Sequence, residues 1–216
     1  MPLGKMQNPF RGFLNGAAAL VSVAGIVLLV RRAEPGPGRL AAIVFGTGLV
    51  ALFSASGLYH SVPWNSRWKG IMRRADHSMI FVLIAATYTP VTIASLTGGW
   101  RVAGLAGVWG IAAYGMIHRA VTPLDRNVMV TALMLTLGWI GAPIMFPLVG
   151  KVGIDSFAWL AAGGVLYTLG MIFMATGRPR LWPTVFSAHE LFHVLVVTAA
   201  TMHFVVVYKD LLPIIV

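Results

Sequence analysis

The chain has 216 residues, of which 58% are hydrophobic and 10% are charged. Soluble domains average about 25% charged residues, so this chain has too few polar side chains to cover a water-soluble surface. Its net charge of +10 does not indicate a nucleic-acid partner, because the basic residues fall in short clusters between apolar runs, as they do in membrane loops.

Long apolar runs predict a bundle of transmembrane helices, since a membrane-spanning helix needs about 20 mostly apolar residues. Segments rich in glycine, proline or charge separate seven such runs: Phe13–Val30, Leu40–Tyr59, Ser78–Leu96, Val102–Ile117, Val128–Val149, Phe157–Ala175 and Val185–Tyr208. We therefore predict an all-α integral membrane protein in which residues 1–216 form a single domain of seven transmembrane helices. Arg31 and Arg32 close the first run with no cleavage site before it, so we expect a retained span and not a signal peptide.

Basic residues give the predicted bundle an orientation, because cytoplasmic loops carry an excess of lysine and arginine. With the N-terminus inside, the cytoplasmic segments hold ten of the 16 basic residues: Lys5, Arg11, Arg67, Lys69, Arg73, Arg74, Arg119, Arg126, Arg178 and Arg180. The outer segments hold the other six. We expect a multi-pass protein of the cell (inner or plasma) membrane, with its N-terminus in the cytoplasm and its C-terminus outside.

Four polar residues are predicted to meet on one face of the membrane. Ionisable side chains at membrane depth are costly and mark functional sites. His60 follows the second run, Asp76 precedes the third, and His189 and His193 lie near the start of the seventh. An even number of crossings returns the chain to the N-terminal side, so all four lie on that side whichever way the protein inserts. The charge bias makes that side cytoplasmic.

The pentapeptide HELFH puts His189 and His193 one helical turn apart, about 40° around the helix and about 6 Å along it. The chain has no cysteine, so a metal must take its ligands from His, Asp, Glu and water. His60 would complete a set of three imidazoles with a fourth position open to water, as in catalytic zinc sites. Asp76 is then either a fourth ligand or the group that hydrogen-bonds and deprotonates the bound water. Ser56, one turn before His60, is a candidate to donate to an oxyanion or to position Asp76.

HELFH also matches the H-E-x-x-H pattern of zinc proteases, in which the glutamate is the general base and a third ligand follows downstream. The chain downstream is apolar apart from His203, for which we expect an interhelical hydrogen bond. Glu190 is rotated about 100° from His189, and it can equally stabilise the positive N-terminus of the seventh helix. A protease is therefore the less favoured interpretation.

The sequence resembles the hemolysin III family in four segments: SGLYHSVPW, RRADHSMIFVLIAATYTP, GGVLYTLGMIF and WPTVFSAHELFHVLVVTAATMHF. That family belongs with the progestin and adipoQ receptor proteins, which include the adiponectin receptors, in a superfamily with the alkaline ceramidases. The resemblance implies a seven-helix membrane protein with a zinc ion near the cytoplasmic side. The family's S-x-x-x-H pattern falls on Ser56 and His60, its aspartate on Asp76, and its H-x-x-x-H on His189 and His193.

The first helix departs from the family pattern. Hemolysin III proteins often have an acidic residue three positions before an asparagine and a histidine four positions after it. Asn15 matches the asparagine, but Gly12 and Ala19 occupy the flanking positions. Any role of that acid or that histidine is therefore absent here or taken by another residue.

Three functional hypotheses follow. The leading one is a zinc-dependent hydrolase with Asp76 and Ser56 as catalytic residues, membrane lipids as partners and a lipid amide as substrate, as the ceramidase resemblance implies. The second is a non-enzymatic protein of membrane or lipid homeostasis in which zinc is structural. The third, a pore-forming cytolysin, comes from the family name and is less favoured because the predicted spans carry no evident polar stripe.

Overall fold

The computed structural model describes residues 8–123, 127–182 and 186–215. These residues form helices, and no β-strand is found among them, which confirms the all-α prediction. The helices are α1 (Pro9–Arg32), α2 (Pro37–Ser61), α3 (Ser66–Ser95), α4 (Gly98–Val121), α5 (Asn127–Ile140), α6 (Phe146–Thr176) and α7 (Ala188–Val206). A 3-10 segment, Ala142–Met145, joins α5 to α6, and the turns Val207–Leu211 and Leu212–Ile214 extend α7. Of the residues named in the predictions, Lys5, Arg126 and Val185 lie outside the described residues.

Five helical runs of the described chain are long and apolar enough to cross a membrane: Pro9–Arg32, Pro37–Ser61, Ser66–Ser95, Val128–Thr176 and Ala188–Ile214. Large apolar side chains stand on the outside of the bundle, among them Leu20 (75% exposed) and Trp100 (78% exposed), as expected for a surface that faces lipid. The prediction of several apolar membrane helices is confirmed. The number of crossings and the sides of the termini stay predictions.

The segment predicted as the loop before the third span is helical from Ser66 onward. The Asn65 side chain caps this helix by accepting a hydrogen bond from the backbone N–H of Trp68 at 3.0 Å. Asp76 therefore lies inside α3, where the helix fixes its direction, and not on a loop. The charged residues of this segment form the first turns of α3, before its buried and mostly apolar part begins.

The region between the fifth and sixth predicted spans also differs from expectation. The predicted span Val128–Val149 is divided by the 3-10 segment after α5, and the predicted loop GKVGID lies inside α6. This helix is interrupted at Gly153, whose φ of 83° and ψ of 166° are not helical and suit only glycine. The glycine therefore breaks the helical run inside the segment that was predicted as a loop.

α3 is the central helix of the bundle. It is buried without a break from Ala85 to Ser95, and it packs against α2, α4, α5 and α6. Glycines allow close approach of the helices on either side of α2. A Cβ atom on Gly57 would lie 3.2 Å from the backbone nitrogen of Gly16, so α1 packs directly against the last turns of α2. This contact brings the first half of α1 beside the end of α2, where His60 lies.

Candidate metal centre

Three imidazoles from two helices meet at one end of the bundle. His60 lies at the end of α2, and His189 and His193 lie on the first two turns of α7. The ring centroid of His60 is 5.3 Å from that of His189 and 4.9 Å from that of His193, and the two α7 rings are 5.0 Å apart. One nitrogen of each ring lies within 4.8 Å of the corresponding nitrogens of the other two. The structure thus brings together the three predicted ligands in an arrangement that could hold a metal ion.

Burial makes the cluster costly without a bound partner. His60 is 1% exposed and His193 is 4% exposed. Their Nε2 atoms are buried and have no hydrogen-bond partner among the described residues. A buried polar atom without a partner costs about 1–3 kcal/mol. A metal ion at this point would give both nitrogens a partner, so the chemistry of the residues fits such a site.

The other ring nitrogen of each histidine faces α1. Three polar side chains of this region approach the three Nδ1 atoms, one on each ring. The contacts are Asn8 Nδ2 to His60 Nδ1 at 3.5 Å, Arg11 Nη1 to His189 Nδ1 at 3.0 Å, and Asn15 Nδ2 to His193 Nδ1 at 3.1 Å. Sequence reasoning missed Asn8 and Arg11, although polar residues spaced at three and four positions in an apolar helix are a signal that could have found them.

Glu190 has a structural role at the start of α7. Ser187 caps this helix and Glu190 occupies its third position, so the two residues form a capping box. One carboxylate oxygen of Glu190 accepts hydrogen bonds from the backbone N–H of Ser187 at 2.8 Å and from the Ser187 hydroxyl. The other accepts from Nε of Arg11 at 2.6 Å. The expectation that Glu190 stabilises the helix N-terminus is confirmed.

Asp76 and Ser56 are both buried, with 7% and 2% of their surfaces exposed. The Ser56 hydroxyl lies beside the Asp76 carboxyl group, but no hydrogen bond of ordinary geometry joins them. Asp76 does not belong to the set of three residues whose ligand atoms lie within 4.8 Å of one another. Of the two predicted roles for Asp76, this position favours action through water over direct ligation.

A cavity of about 680 Å³ adjoins the histidines. Its walls are mostly apolar, and Ser56, Asp76, His189 and His193 line it at the level of the cluster. His203 lines it as well, and lies 14 residues after His189, which is about 21 Å along a helix. The cavity therefore runs along α7 from the cluster towards the other end of the bundle.

His203 itself is separate from the cluster. One ring nitrogen, Nε2, lies 3.0 Å from the backbone oxygen of Leu160 on α6. The ring also packs tightly, since a Cβ atom on Gly163 would lie 2.3 Å from Nε2. The predicted interhelical hydrogen bond of His203 is confirmed.

The fold and the site together define a multi-pass helical membrane protein with a buried cluster of three histidines beside an apolar cavity. The chain belongs to the haemolysin-III-related family, whose model matches residues 5–204. The resemblance seen in the sequence is thereby confirmed.

Individual relatives cover most of the chain. It is similar to the hemolysin-3 homolog of Bacillus subtilis (strain 168), with 29% identity over 198 residues that cover 90% of each chain. It is similar to hemolysin-3 of Bacillus cereus, with 29% identity over 205 residues that cover 92% of this chain and 89% of the relative. The human monocyte to macrophage differentiation factor is 27% identical over 197 residues, which cover 88% of this chain and 78% of the relative.

Proposed function

We propose that this protein is a zinc-dependent hydrolase that cleaves lipid amides inside the cell (inner or plasma) membrane. One observation carries the proposal: the buried histidine cluster adjoins an apolar cavity of about 680 Å³ that Asp76 and Ser56 also line. A potential metal site, two polar side chains suited to acid–base chemistry and room for an acyl chain are therefore adjacent.

His60, His189 and His193 would hold the zinc ion. Three neutral imidazoles with one open position form the ligand set of catalytic zinc, with Zn–N distances of about 2.0–2.1 Å. When bound, the zinc polarises a carbonyl group and lowers the pKa of water. The three nitrogens lie within 4.8 Å of one another, so the rings would move closer together to reach that geometry.

The cavity suits an acyl chain. Binding sites for small molecules typically measure about 300–1,000 Å³ and are lined mainly by apolar side chains. Each methylene group buried against such walls contributes about 0.8 kcal/mol. With its chain along α7, a lipid amide would place its polar end beside Asp76.

Asp76 would carry the proton transfers, and Ser56 would stabilise the developing negative charge. Asp76 accepts a proton from the attacking water, which adds to the amide carbonyl carbon. Ser56 donates a hydrogen bond to the oxygen on which negative charge develops. Asp76 then returns the proton to the leaving nitrogen as the C–N bond breaks, so a fatty acid and an amine are released. General acid–base catalysis of this kind contributes about 10²–10⁴-fold to a rate.

We further propose a single domain that crosses the membrane seven times, with the N-terminus in the cytoplasm. The 49-residue run Val128–Thr176 is long enough for two crossings, since one needs about 20 residues. With α4 counted as a crossing, the total is seven. The meeting of the end of α2 with the start of α7 supports an odd total, because an even number of crossings must separate His60 from His189.

A structural role for zinc is the second candidate. His60 and His193 are almost fully buried, and structural zinc sites are closed to solvent. A zinc ion that joins α2 to α7 in such a site would stabilise the bundle. The word hemolysin in the names of two relatives points to lysis. The mostly apolar lining of the cavity does not suit a water-filled pore, so we do not propose one.

The proposal is tested with purified full-length protein in detergent and a short-chain fluorescent ceramide as the lipid amide. We expect the unmodified protein to release fatty acid, and Asp76→Asn to lose about 10²–10⁴-fold in rate while it retains zinc. Thr198→Ala, an exposed position on α7 away from the cluster, serves as a matched control and should keep the full rate. Zinc-loaded protein that cleaves no lipid amide would contradict the hydrolase and favour the structural role.

A further inference from the structure

We infer that α1 sets the zinc affinity of this site, although it supplies no ligand: Asn15 favours zinc binding and Arg11 opposes it. The inference rests on the proposed zinc site of His60, His189 and His193. It concerns the side chains that contact those ligands from behind.

Arg11 and Asn15 are four residues apart on α1, so they share one side of the helix, and Asn8 directly precedes its first residue. Each approaches the Nδ1 atom of a different histidine, at distances of 3.5, 3.0 and 3.1 Å. The buried Nε2 atoms of His60 and His193 are left for an ion. One side of α1, together with the residue that precedes it, thus contacts the complete set of ligands.

A histidine that binds zinc through Nε2 carries its proton on Nδ1 and donates it to an outer partner, which fixes the ring. Asn15 can provide that partner. It is 1% exposed, its amide nitrogen donates to the backbone oxygen of Arg11 at 2.8 Å, and the same nitrogen faces His193 Nδ1. The amide carries an acceptor as well as donors, so a turn that breaks its hydrogen bond with the Arg11 backbone can put its oxygen against the ring N–H. Asn8 can act on His60 in the same way.

Arg11 differs because a guanidinium group has donors and no acceptor. Its contact with Nδ1 of His189 requires that nitrogen to accept, and the proton of a neutral ring then lies on Nε2. A ring in this form cannot offer Nε2 to a metal. Arg11 also brings a positive charge to a site for a cation, and its ion pair with Glu190 holds it there. Zinc binding to His189 must therefore displace Arg11 from the ring.

The ordinary alternative is that these contacts only pack α1 against α2 and α7. Packing alone predicts that every substitution on this side of α1 weakens the site or leaves it unchanged. Opposite effects of Asn15 and Arg11 substitutions distinguish the two explanations.

The experiment measures zinc affinity of the purified full-length protein by competition with a chelator of known affinity. Asn15→Leu should weaken binding about 10–100-fold, as loss of an outer hydrogen bond does at other metal sites. Asn15→Asp supplies an acceptor for the ring N–H and should restore affinity to within a few-fold of the unmodified protein or better. Ser22→Ala is the matched control on α1, because the Ser22 hydroxyl donates only within its own helix, to Ala18.

Arg11→Gln should strengthen zinc binding several-fold, since glutamine can accept from the ring and carries no charge. The double variant Arg11→Gln/Glu190→Gln removes one positive and one negative charge, so the net charge at the site is unchanged. It should keep part of the gain in zinc affinity, because the ring proton of His189 is still free to lie on Nδ1. The inference would be overturned if all variants bound zinc as tightly as the unmodified protein, or if Arg11→Gln bound it more weakly. Neither result would contradict the proposed zinc site. Unmodified protein without zinc affinity would overturn the proposed function and the inference with it.

Discussion

Nε of Arg11 donates a hydrogen bond of 2.6 Å to Oε1 of Glu190, which ties the carboxylate of HELFH to the first helix. The other oxygen of Glu190 accepts from Ser187. Both oxygens are thus occupied by donors that belong to the helix start and to α1. In a zinc protease, the glutamate of this pattern must instead be free to take a proton from water.

Glu190→Gln should therefore destabilise the protein without removing its activity. The amide keeps the shape of the side chain but loses the ion pair and the favourable charge at the helix N-terminus, worth about 0.3–1 kcal/mol. Thermal unfolding in detergent measures that loss, and amidase assays should show a rate within a few-fold of the unmodified protein. A large loss of rate in Glu190→Gln, beside a small loss in Asp76→Asn, would instead mean that HELFH works as a protease-type motif.

Asp76→Asn should keep the metal. The three imidazoles remain intact in this variant, and the carboxyl group is not among the groups within 4.8 Å of one another. Zinc content after purification should match that of the unmodified protein while the amidase rate falls. Loss of zinc in Asp76→Asn would identify Asp76 as a fourth ligand and would support a closed, structural site.

The cavity should limit the length of the acyl chain. Ala161 lines it on α6. Ala161→Phe adds bulk to the wall, so hydrolysis of long-chain ceramides should fall more than hydrolysis of short-chain ones, with zinc content unchanged. A parallel series of chain lengths on both proteins measures the difference. Equal losses at every chain length would show that the acyl chain does not lie in this cavity.

Topology is tested by reporter fusions. Fusions at the N-terminus and at Asn65, between α2 and α3, should report from the cytoplasm, and a fusion after Ile215 should report from outside. This follows from seven crossings and from the excess of basic residues on the cytoplasmic side. Reports from the same side by both termini would mean an even number of crossings.

The histidine cluster could be predicted from sequence because only the number of crossings was needed to place His60 on the same side as His189 and His193. Helical spacing then oriented the α7 pair towards one point. Asp76 was placed with them by the same count, because it precedes the third predicted span. These features depend on the order of the membrane crossings, which apolar runs in the sequence predict.

The contacts of α1 were harder to predict. An arginine near the start of an apolar helix is usually interpreted as a contact with the membrane surface. No local pattern shows that Arg11 pairs with Glu190, which is 179 positions away. The helical start of α3 was missed for a related reason. Charged residues mark loops between apolar runs, but near a membrane surface a capped helix also contains them.

The zinc content of the purified protein tests the central claim most directly. Elemental analysis of the full-length protein, purified without chelator, should give close to one zinc per chain. His193→Ala removes one of the three imidazoles and should lose the metal, whereas His203→Phe, on the same helix but outside the cluster, should retain it. A stably folded protein without zinc, or His193→Ala that keeps its zinc, would contradict the account.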